Sequence, residues 1–182
     1  MRHRFRTTQW LPYDVASVFA FFANPSNLPK LLPEWQQARI DEIELHPAPR
    51  RSTAPSEATI AAGRGTRMTL SLRPARLSPI RSTWVVLIED FHWNERFCDR
   101  QLDGPFRYWR HCHRMQDWQS ERTGQDGTLL IDTIEYELPF GAFGHFANRL
   151  AVRKMLEGVF EHRHRRAEEL LGEINAGVES HA

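Results

Sequence analysis

The stretch RYWRHCHRMQDW, residues 107–118, holds two histidines, two tryptophans, three arginines and one cysteine within twelve positions. Imidazoles transfer protons or ligate metals, whereas tryptophans supply large apolar surfaces for cavities. The crowding is therefore consistent with a catalytic centre, a metal site or an aromatic cavity wall. Which one applies depends on the side chains that share a face with the histidines.

The stretch alternates in the manner of a β-strand, in which successive side chains point to opposite faces. Trp109, His111, His113 and Met115 then share one face, and the opposite face carries more charge. We predict that the histidine face points into the protein. On the following strand the more apolar face consists of Leu130, Asp132, Ile134, Tyr136 and Leu138.

An inward Asp132 close to His111 and His113 leaves three interpretations open. In the first, the three groups form the hydrogen-bonded polar end of a ligand pocket. In the second, a His–Asp pair acts as general acid/base in enolisation, cyclisation or dehydration, with Tyr136 polarising a carbonyl. In the third, the three groups bind a metal. A strand HxH supplies only two imidazoles, fewer than the three or four protein ligands usual for zinc. We favour the pocket and predict no metal and no other cofactor.

Arg163 raises a similar question, because it falls inside an apolar helical stripe between Phe160 and Ala167. Its stem can pack while the guanidinium reaches water at the helix edge. Alternatively, the guanidinium reaches an acidic ligand or Asp132, since a buried guanidinium needs a carboxylate or phosphate.

The elements that position these residues follow from hydrophobic periodicity. A strand is expected in residues 2–11, a helix from Val15 that ends at Asn24-Pro25, a short helix at about 26–32 and a strand at 38–45. Five further period-2 segments follow at 65–73, 80–89, 96–102, 107–117 and 128–137. The short spacings leave no room for crossover helices, so we predict an antiparallel meander.

A helix is expected over about 146–174, long enough to lie across the sheet. The result is an α+β fold in which a curved antiparallel sheet of about seven strands, in the order β-α-α-β6-α, is wrapped around a long C-terminal helix. We predict one domain over 1–182, with a flexible loop at about 47–62 and a loose tail at about 176–182.

Four phrases of the chain resemble the START-like, Bet v 1-like superfamily, and within it the bacterial SRPBCC group of polyketide cyclase/dehydrase-like ligand-binding proteins. They are VASVFAFFANPSNLPKLLP, ERFCDRQLDGPFRYWRHCHRM, DTIEYELPFG and RLAVRKMLEGVFEHRHRRAEEL. The resemblance implies a helix-grip fold with a deep apolar cavity between the sheet and the C-terminal helix. Its activity remains open, because this scaffold hosts lipid carriers, hormone receptors and aromatase/cyclases alike.

The composition of the chain limits the kinds of partner that it can bind. A formal net charge of +1 argues against nucleic acid, and no apolar run is long enough for a membrane span. Cys98 and Cys112 are too few for a disulfide framework and lack zinc spacing, so we expect reduced thiols. With no apolar segment of the signal-peptide type at the start, this predicts a cytoplasmic protein.

Our first functional hypothesis is that the chain binds a small hydrophobic or aromatic molecule, which leaves an enzymatic role uncertain. The expected ligand-binding residues are Trp84, Val86, Phe97, Trp109, His111, His113, Met115, Asp132, Ile134, Tyr136, Met155, Val159 and Arg163. The second hypothesis is a cyclase/dehydrase-type enzyme using His111, His113 and Asp132 for proton transfer. The third is a protein-interaction module with a filled interior. Whichever applies, we expect a monomer or a homodimer.

Overall fold

A computed structural model describes residues 1–49, 60–74, 76–139 and 151–179, with side chains described to residue 176. In these ranges the chain forms seven strands: β1 Arg2–Leu11, β2 Arg39–Glu44, β3 Arg67–Leu72, β4 Ser82–His92, β5 Arg96–Asp103, β6 Tyr108–Gln119 and β7 Asp126–Glu137. They form one antiparallel sheet in the order β1-β7-β6-β5-β4-β3-β2. The predicted meander is thereby confirmed, with β1 closing against β7.

Two short helices lie between β1 and β2. Helix α1, Val15–Ala23, begins at Asp14, whose carboxylate accepts a hydrogen bond from the Ser17 backbone N–H at 2.9 Å. Such a cap satisfies a helix N–H group that has no partner within the helix. Helix α2, Leu28–Leu31, lies between the 3₁₀ turns Pro25–Asn27 and Glu34–Gln36.

The long helix α3, Arg153–Glu179, is gripped by the sheet as predicted. Its buried residues recur at helical spacing and are Leu156, Val159, Phe160, Arg163, Ala167 and Leu171. At 1.5 Å per residue its 27 residues extend about 40 Å, enough to cover the inner face of the sheet. No described helix is both long and apolar enough to cross a membrane.

The C-terminal prediction needs a correction. We expected the helix to end near residue 174 and a loose tail from about 176, yet α3 continues to Glu179. Once the packed stripe has fixed the helix, adding a residue costs little, because propagation is much easier than nucleation. The predicted helix start at 146–150 and residues 180–182 lie outside the described residues.

Most of the loop predicted at 47–62 also lies outside the described residues, which omit 50–59. Its two ends are held together: Pro47 and Ala62 form an isolated antiparallel bridge, and Ala62 donates its backbone N–H to the carbonyl of Ala23 at the end of α1. Ala61 and Ala62 are both buried. Of the two expected boundaries, Ala62 is therefore a packed position, whereas Pro47 is exposed.

The expectation of reduced cysteines is wrong in the structure, where Cys98 and Cys112 form a disulfide. The two cysteines lie directly opposite each other on β5 and β6, with Cα atoms 4.1 Å apart. Cross-strand neighbours in such a register share a face of the sheet, so their sulfur atoms meet. A reducing cytoplasm was inferred partly from free thiols, and this location remains only a prediction.

Candidate ligand cavity and its polar end

A cavity of about 590 Å³ lies between the inner face of the sheet, helices α1 and α2, and helix α3. Its volume is in the usual range of small-molecule sites. The apolar side chains on its wall include Phe22, Leu28, Leu31, Met68, Leu70, Trp84, Val86, Ile88, Phe97, Phe106, Trp109, Met155, Leu156, Val159 and Phe160. A hollow of this size does not fit the hypothesis of an interior filled by side chains.

Most of the predicted ligand-binding residues lie on this wall: Trp84, Val86, Phe97, Trp109, His111, His113, Met155, Val159 and Arg163. Met115, Ile134 and Tyr136 are buried in the packed core and are not part of the wall. Ile134 and Tyr136 lie on β7, where Leu156 and Phe160 of α3 pack directly against them. The role suggested for Tyr136, polarising a carbonyl, remains a prediction.

Three aromatic side chains meet at one side of the cavity. Trp84 and Trp109 make an edge-on contact with ring centroids 4.8 Å apart, and Phe106 lies 4.7 Å from Trp109. Such contacts hold large rings in fixed positions and present flat apolar surface to a ligand. Phe106 was not predicted, because it falls in the turn between two strands, where facing cannot be read from alternation.

The other notable wall segment is polar and consists of Asp99, His111, His113 and Arg163, with Asp132 directly behind the histidines; we call these five residues the polar end. Both histidines face inward as predicted and are buried. Their ring centroids are 4.1 Å apart, and His113 stacks on Phe97 at 4.4 Å. Strand alternation on β5, β6 and β7 thus brings these side chains together.

Asp132 holds the histidine pair from behind. Its Oδ1 lies 2.8 Å from His111 Nε2, so Nε2 carries the proton and donates it, which leaves Nδ1 of His111 as the unprotonated nitrogen. His113 Nδ1 lies 2.7 Å from the same oxygen but is not aligned for a hydrogen bond. The carboxylate therefore fixes the ring of His111 and lies against that of His113.

Burial sets the protonation of this group. Burial lowers the pKa of His111, and the neighbouring His113 lowers it further. Burial also lowers the pKa of His113, although Asp132 acts to raise it. Burial alone would raise the pKa of Asp132, but His113 and the hydrogen bond from His111 outweigh it and hold that pKa well below its usual range. At neutral pH the group is thus an ionised carboxylate beside two neutral imidazoles.

Asp99 is a member of this site that sequence reasoning missed. It lies on β5 directly opposite His111, and its carboxylate Oδ2 is 3.8 Å from His111 Nδ1. Burial raises the pKa of Asp99, with His111 and Arg163 offsetting part of the rise. A signal was available: Asp99 is two residues beyond Phe97, so the two must share a face.

Arg163 reaches the polar end from α3 and does not extend to water. It is 7% exposed, lies on the cavity wall and packs with its guanidinium carbon 5.0 Å from the centre of the Phe160 ring. Burial lowers its pKa, and Asp132 and Asp99 act in the opposite direction. Of the two interpretations offered for Arg163, the buried one applies, although it makes no close ion pair with Asp132.

The polar end also bears on metal binding. Donor atoms of Asp99, His111 and His113 all lie within 4.8 Å of one another, so the structure offers three donors where the sequence indicated two. The adjacent guanidinium of Arg163 opposes a cation here, whereas a carboxylate behind each imidazole, as Asp132 provides, is the usual support of metal-ligating histidines. We keep the prediction of no metal as a prediction.

The lowered histidine pKa values predict loss of stability in acid. Between their folded pKa values and 6.5, the ordinary histidine value, the unfolded chain binds more protons than the folded chain. The free energy of unfolding should therefore fall as the pH falls below about 6.5, and Asp132 should add a further loss below 3.8. Asp99, with its raised pKa, contributes in the opposite sense. Urea unfolding at pH values from 8 to 4 measures the slope.

The double variant His111→Gln/His113→Gln should reduce this slope between pH 6.5 and 5, because it removes two of the three histidines whose pKa burial lowers, while His164 remains. His162→Gln, a change on α3 away from the cavity wall, serves as the matched control and should leave the slope unchanged. An unchanged slope in the double variant would show that the acid sensitivity has another origin.

Comparisons with known proteins agree with this architecture. The model of a family described as polyketide cyclase / dehydrase and lipid transport matches residues 11–160. No curated protein matches the chain. Among solved structures, TTHA0849 from Thermus thermophilus is similar with 16% identity and a TM-score of 0.59, covering 91% of this chain and 97% of that one.

Two further structures are similar over most of their length. Norcoclaurine synthase from Thalictrum flavum, in complex with dopamine and hydroxybenzaldehyde, has 12% identity and a TM-score of 0.60, covering 95% of this chain and 88% of that one. Ara h 8.0201 has 14% identity and a TM-score of 0.53, covering 92% of this chain and 98% of that one. At these identities the likeness shows the fold alone, and it confirms the predicted Bet v 1-like helix-grip architecture.

Proposed function

We propose that this chain, which belongs to the polyketide cyclase / dehydrase and lipid transport family, binds one small hydrophobic or aromatic molecule in the cavity under α3. The observation that carries the proposal is an apolar cavity of about 590 Å³ with ionisable groups gathered at one side. Apolar walls supply affinity through buried area, and a few polar groups fix orientation. The norcoclaurine synthase structure, which holds two small aromatic molecules on a similar fold, supports the size class.

The proposal predicts that an uncharged aromatic probe binds the purified protein with a stoichiometry of one. N-phenyl-1-naphthylamine brightens when it leaves water, so a fluorescence titration at neutral pH reports its affinity. Native mass spectrometry of freshly expressed protein, followed by organic extraction, tests for a compound that remains bound. A saturable signal that the extracted compound displaces supports a ligand site.

Two results would count against this function. One is the absence of both a co-purified compound and probe binding, despite a folded protein by circular dichroism. The other is probe binding that stays linear and cannot be displaced, since this indicates adsorption to surface apolar patches.

A second candidate function is proton-transfer catalysis, favoured by one contact: the His111 Nε2 hydrogen bond to Asp132 at 2.8 Å, with the same ring on the cavity wall. A base oriented by a buried carboxylate is a common catalytic arrangement. The extracted compound separates the two functions. A carrier returns it unchanged after incubation, whereas an enzyme converts it, and His111→Gln abolishes the conversion while binding survives.

A further inference from the structure

The mouth of the cavity lies at one end of the sheet. Of the described side chains on the cavity wall, only Pro74 and Pro105 are exposed. Pro74 lies in the connection from β3 to β4, residues 73–81, and Pro105 lies in the connection from β5 to β6, residues 104–107. Alternate hairpins of an antiparallel meander turn at the same end, so both connections lie there. A ligand therefore reaches the cavity from this end of the sheet.

The β3–β4 connection carries the most exposed large apolar side chain in the described part of the chain. Leu77 is 94% exposed, and Ile80, three residues later, is 72% exposed. Single exposed apolar side chains are common on protein surfaces. Two with this degree of exposure on one turn beside a cavity mouth indicate a surface that another apolar phase covers.

Hydrogen bonds order the turn that presents these two side chains. Ser78 Oγ donates to the carbonyl of Ile80 at 3.0 Å and accepts from the Ile80 backbone N–H at 3.3 Å. At the base of the connection, Arg81 Nη2 donates to the carbonyls of Gln37 and Ser71 and to Ser71 Oγ, each at 2.8 Å. The apolar tip is therefore fastened to the sheet at its base and closed by its own turn.

The two connections at the cavity mouth are positively charged. They contain no acidic residue and four arginines, which are Arg73, Arg76, Arg81 and Arg107. Arg76 is exposed, and neither Arg73 nor Arg76 forms an ion pair with any residue that the structure describes. Arg107 lies 3.9 Å from Glu137 and remains largely exposed. An anionic partner can therefore bind Arg73 and Arg76 without displacing a carboxylate of the protein.

A lipid bilayer fits this combination better than a protein partner does. Interfacial membrane anchors combine apolar side chains, which enter the boundary between headgroups and acyl chains, with basic side chains that attract anionic lipids. Stable protein interfaces instead bury about 1,200 Å² or more around a core rich in aromatic side chains. A turn that presents two aliphatic side chains offers far less area than that.

We propose that the β3–β4 connection docks the mouth of the cavity on an anionic lipid bilayer. Leu77 and Ile80 enter the boundary between headgroups and acyl chains. Arg73 and Arg76 contact the lipid phosphates. The ligand then passes between bilayer and cavity without exposing its apolar surface to water, which would be unfavourable. This last step rests on the proposed binding function, whereas the docking itself does not.

Co-sedimentation with sucrose-loaded vesicles tests the docking. Vesicles of phosphatidylcholine alone are compared with vesicles that contain about 30% phosphatidylglycerol, at about 0.1 M NaCl. One arginine near an anionic surface corresponds to about a fivefold change in binding, so two should give the anionic vesicles an advantage of about twentyfold. Raising the salt to about 0.5 M should remove most of this advantage, because salt screens exposed charges.

Two double variants assign the contacts. Leu77→Asn/Ile80→Asn should weaken binding to the anionic vesicles at least tenfold or so, roughly the effect of withdrawing one aliphatic side chain from an apolar phase. Arg73→Gln/Arg76→Gln should weaken that binding about twentyfold and leave little preference for anionic over neutral vesicles. None of the four positions lies on the cavity wall. N-phenyl-1-naphthylamine should therefore bind both variants with the wild-type affinity when no vesicles are present.

The matched controls make the same changes away from the cavity mouth. Ile43→Asn/Ile60→Asn removes two exposed apolar side chains, one on β2 and one in the connection that follows it. Arg64→Gln/Arg122→Gln removes two exposed arginines and changes the net charge by the same amount. Both controls should bind vesicles as the wild-type protein does.

The outcomes separate the docking from the binding function. Vesicle binding that both mouth variants lose and both controls keep supports the docking. Probe binding without vesicle binding by the wild-type protein overturns the docking and leaves the binding function standing. Vesicle binding that survives Leu77→Asn/Ile80→Asn, or that the controls weaken equally, also overturns it, because charge alone or another surface then holds the bilayer. Vesicle binding without probe binding supports the docking and counts against the binding function.

Discussion

Replacing Asp132 with alanine should lower the free energy of unfolding by about 3 kcal/mol, because removing one member of a buried charged network leaves its partners uncompensated. His111 Nε2 loses its acceptor at 2.8 Å, and His113 loses the oxygen 2.7 Å from its Nδ1. The buried guanidinium of Arg163 loses the largest electrostatic contribution that supports its charge. Urea unfolding at pH 7.5, followed by circular dichroism, measures the loss.

Two comparison variants show whether the loss of stability is specific to the carboxylate of Asp132. Asp132→Asn keeps an acceptor oxygen for His111 but also removes the charge that supports Arg163, so its loss should be smaller than that of Asp132→Ala by about 1 kcal/mol, the size of one hydrogen bond. Asp117→Ala removes an exposed aspartate from the neighbouring strand β6 and should change the free energy by less than about 0.5 kcal/mol. Equal losses in Asp132→Ala and Asp117→Ala would mean that Asp132 does not organise the polar end.

The facing of the crowded strand was predictable because only one face of the sheet is buried. Alternation alone placed His111, His113 and Asp132 inward, and their burial bears this out. A one-residue slip would have moved every apolar side chain of β6 and β7 to the solvent face, so the hydrophobic pattern fixes register strongly. The order of elements was equally accessible, since the short spacings allowed only hairpins.

The membership of the polar end was harder to predict. Asp99 meets His111 only through the pairing of β5 with β6, where the two residues lie directly opposite each other. Alternation gives the face of a side chain on its own strand but not its partner on the next strand, which depends on register. The disulfide was missed for the same reason, because Cys98 and Cys112 meet through that same pairing.

The boundary between cavity and packed core was also not predictable. Met115, Ile134 and Tyr136 have the residue types and facing expected of a cavity wall, yet they pack against other side chains. Phe22 on α1 and Leu31 on α2, which the sequence analysis did not single out, do line the cavity. Both a cavity wall and a packed core require apolar side chains, so residue type does not distinguish them. The distance between the sheet and α3 decides which of the two forms.

Filling the cavity from α3 should abolish binding of the aromatic probe without unfolding the protein. In Val159→Trp, a tryptophan replaces a buried valine on the cavity wall and extends into the empty volume. Displacing about 100 Å² of probe contact, at roughly 25 cal/mol per Å², corresponds to about 2.5 kcal/mol, or nearly a hundredfold in affinity. The N-phenyl-1-naphthylamine titration measures this loss, and urea unfolding shows whether the fold persists.

Ile174→Trp is the matched control, because it adds the same ring to the same helix at a half-exposed position outside the cavity. Val86→Trp on β4 fills the cavity from the opposite wall, so it should reproduce the loss if the two walls enclose a single site. Overpacking a tight core would instead destabilise both wall variants, since extra atoms force side chains and backbone out of position. Stable wall variants that still bind the probe would place the binding site elsewhere on the protein, whereas stable variants without binding locate it between the sheet and α3.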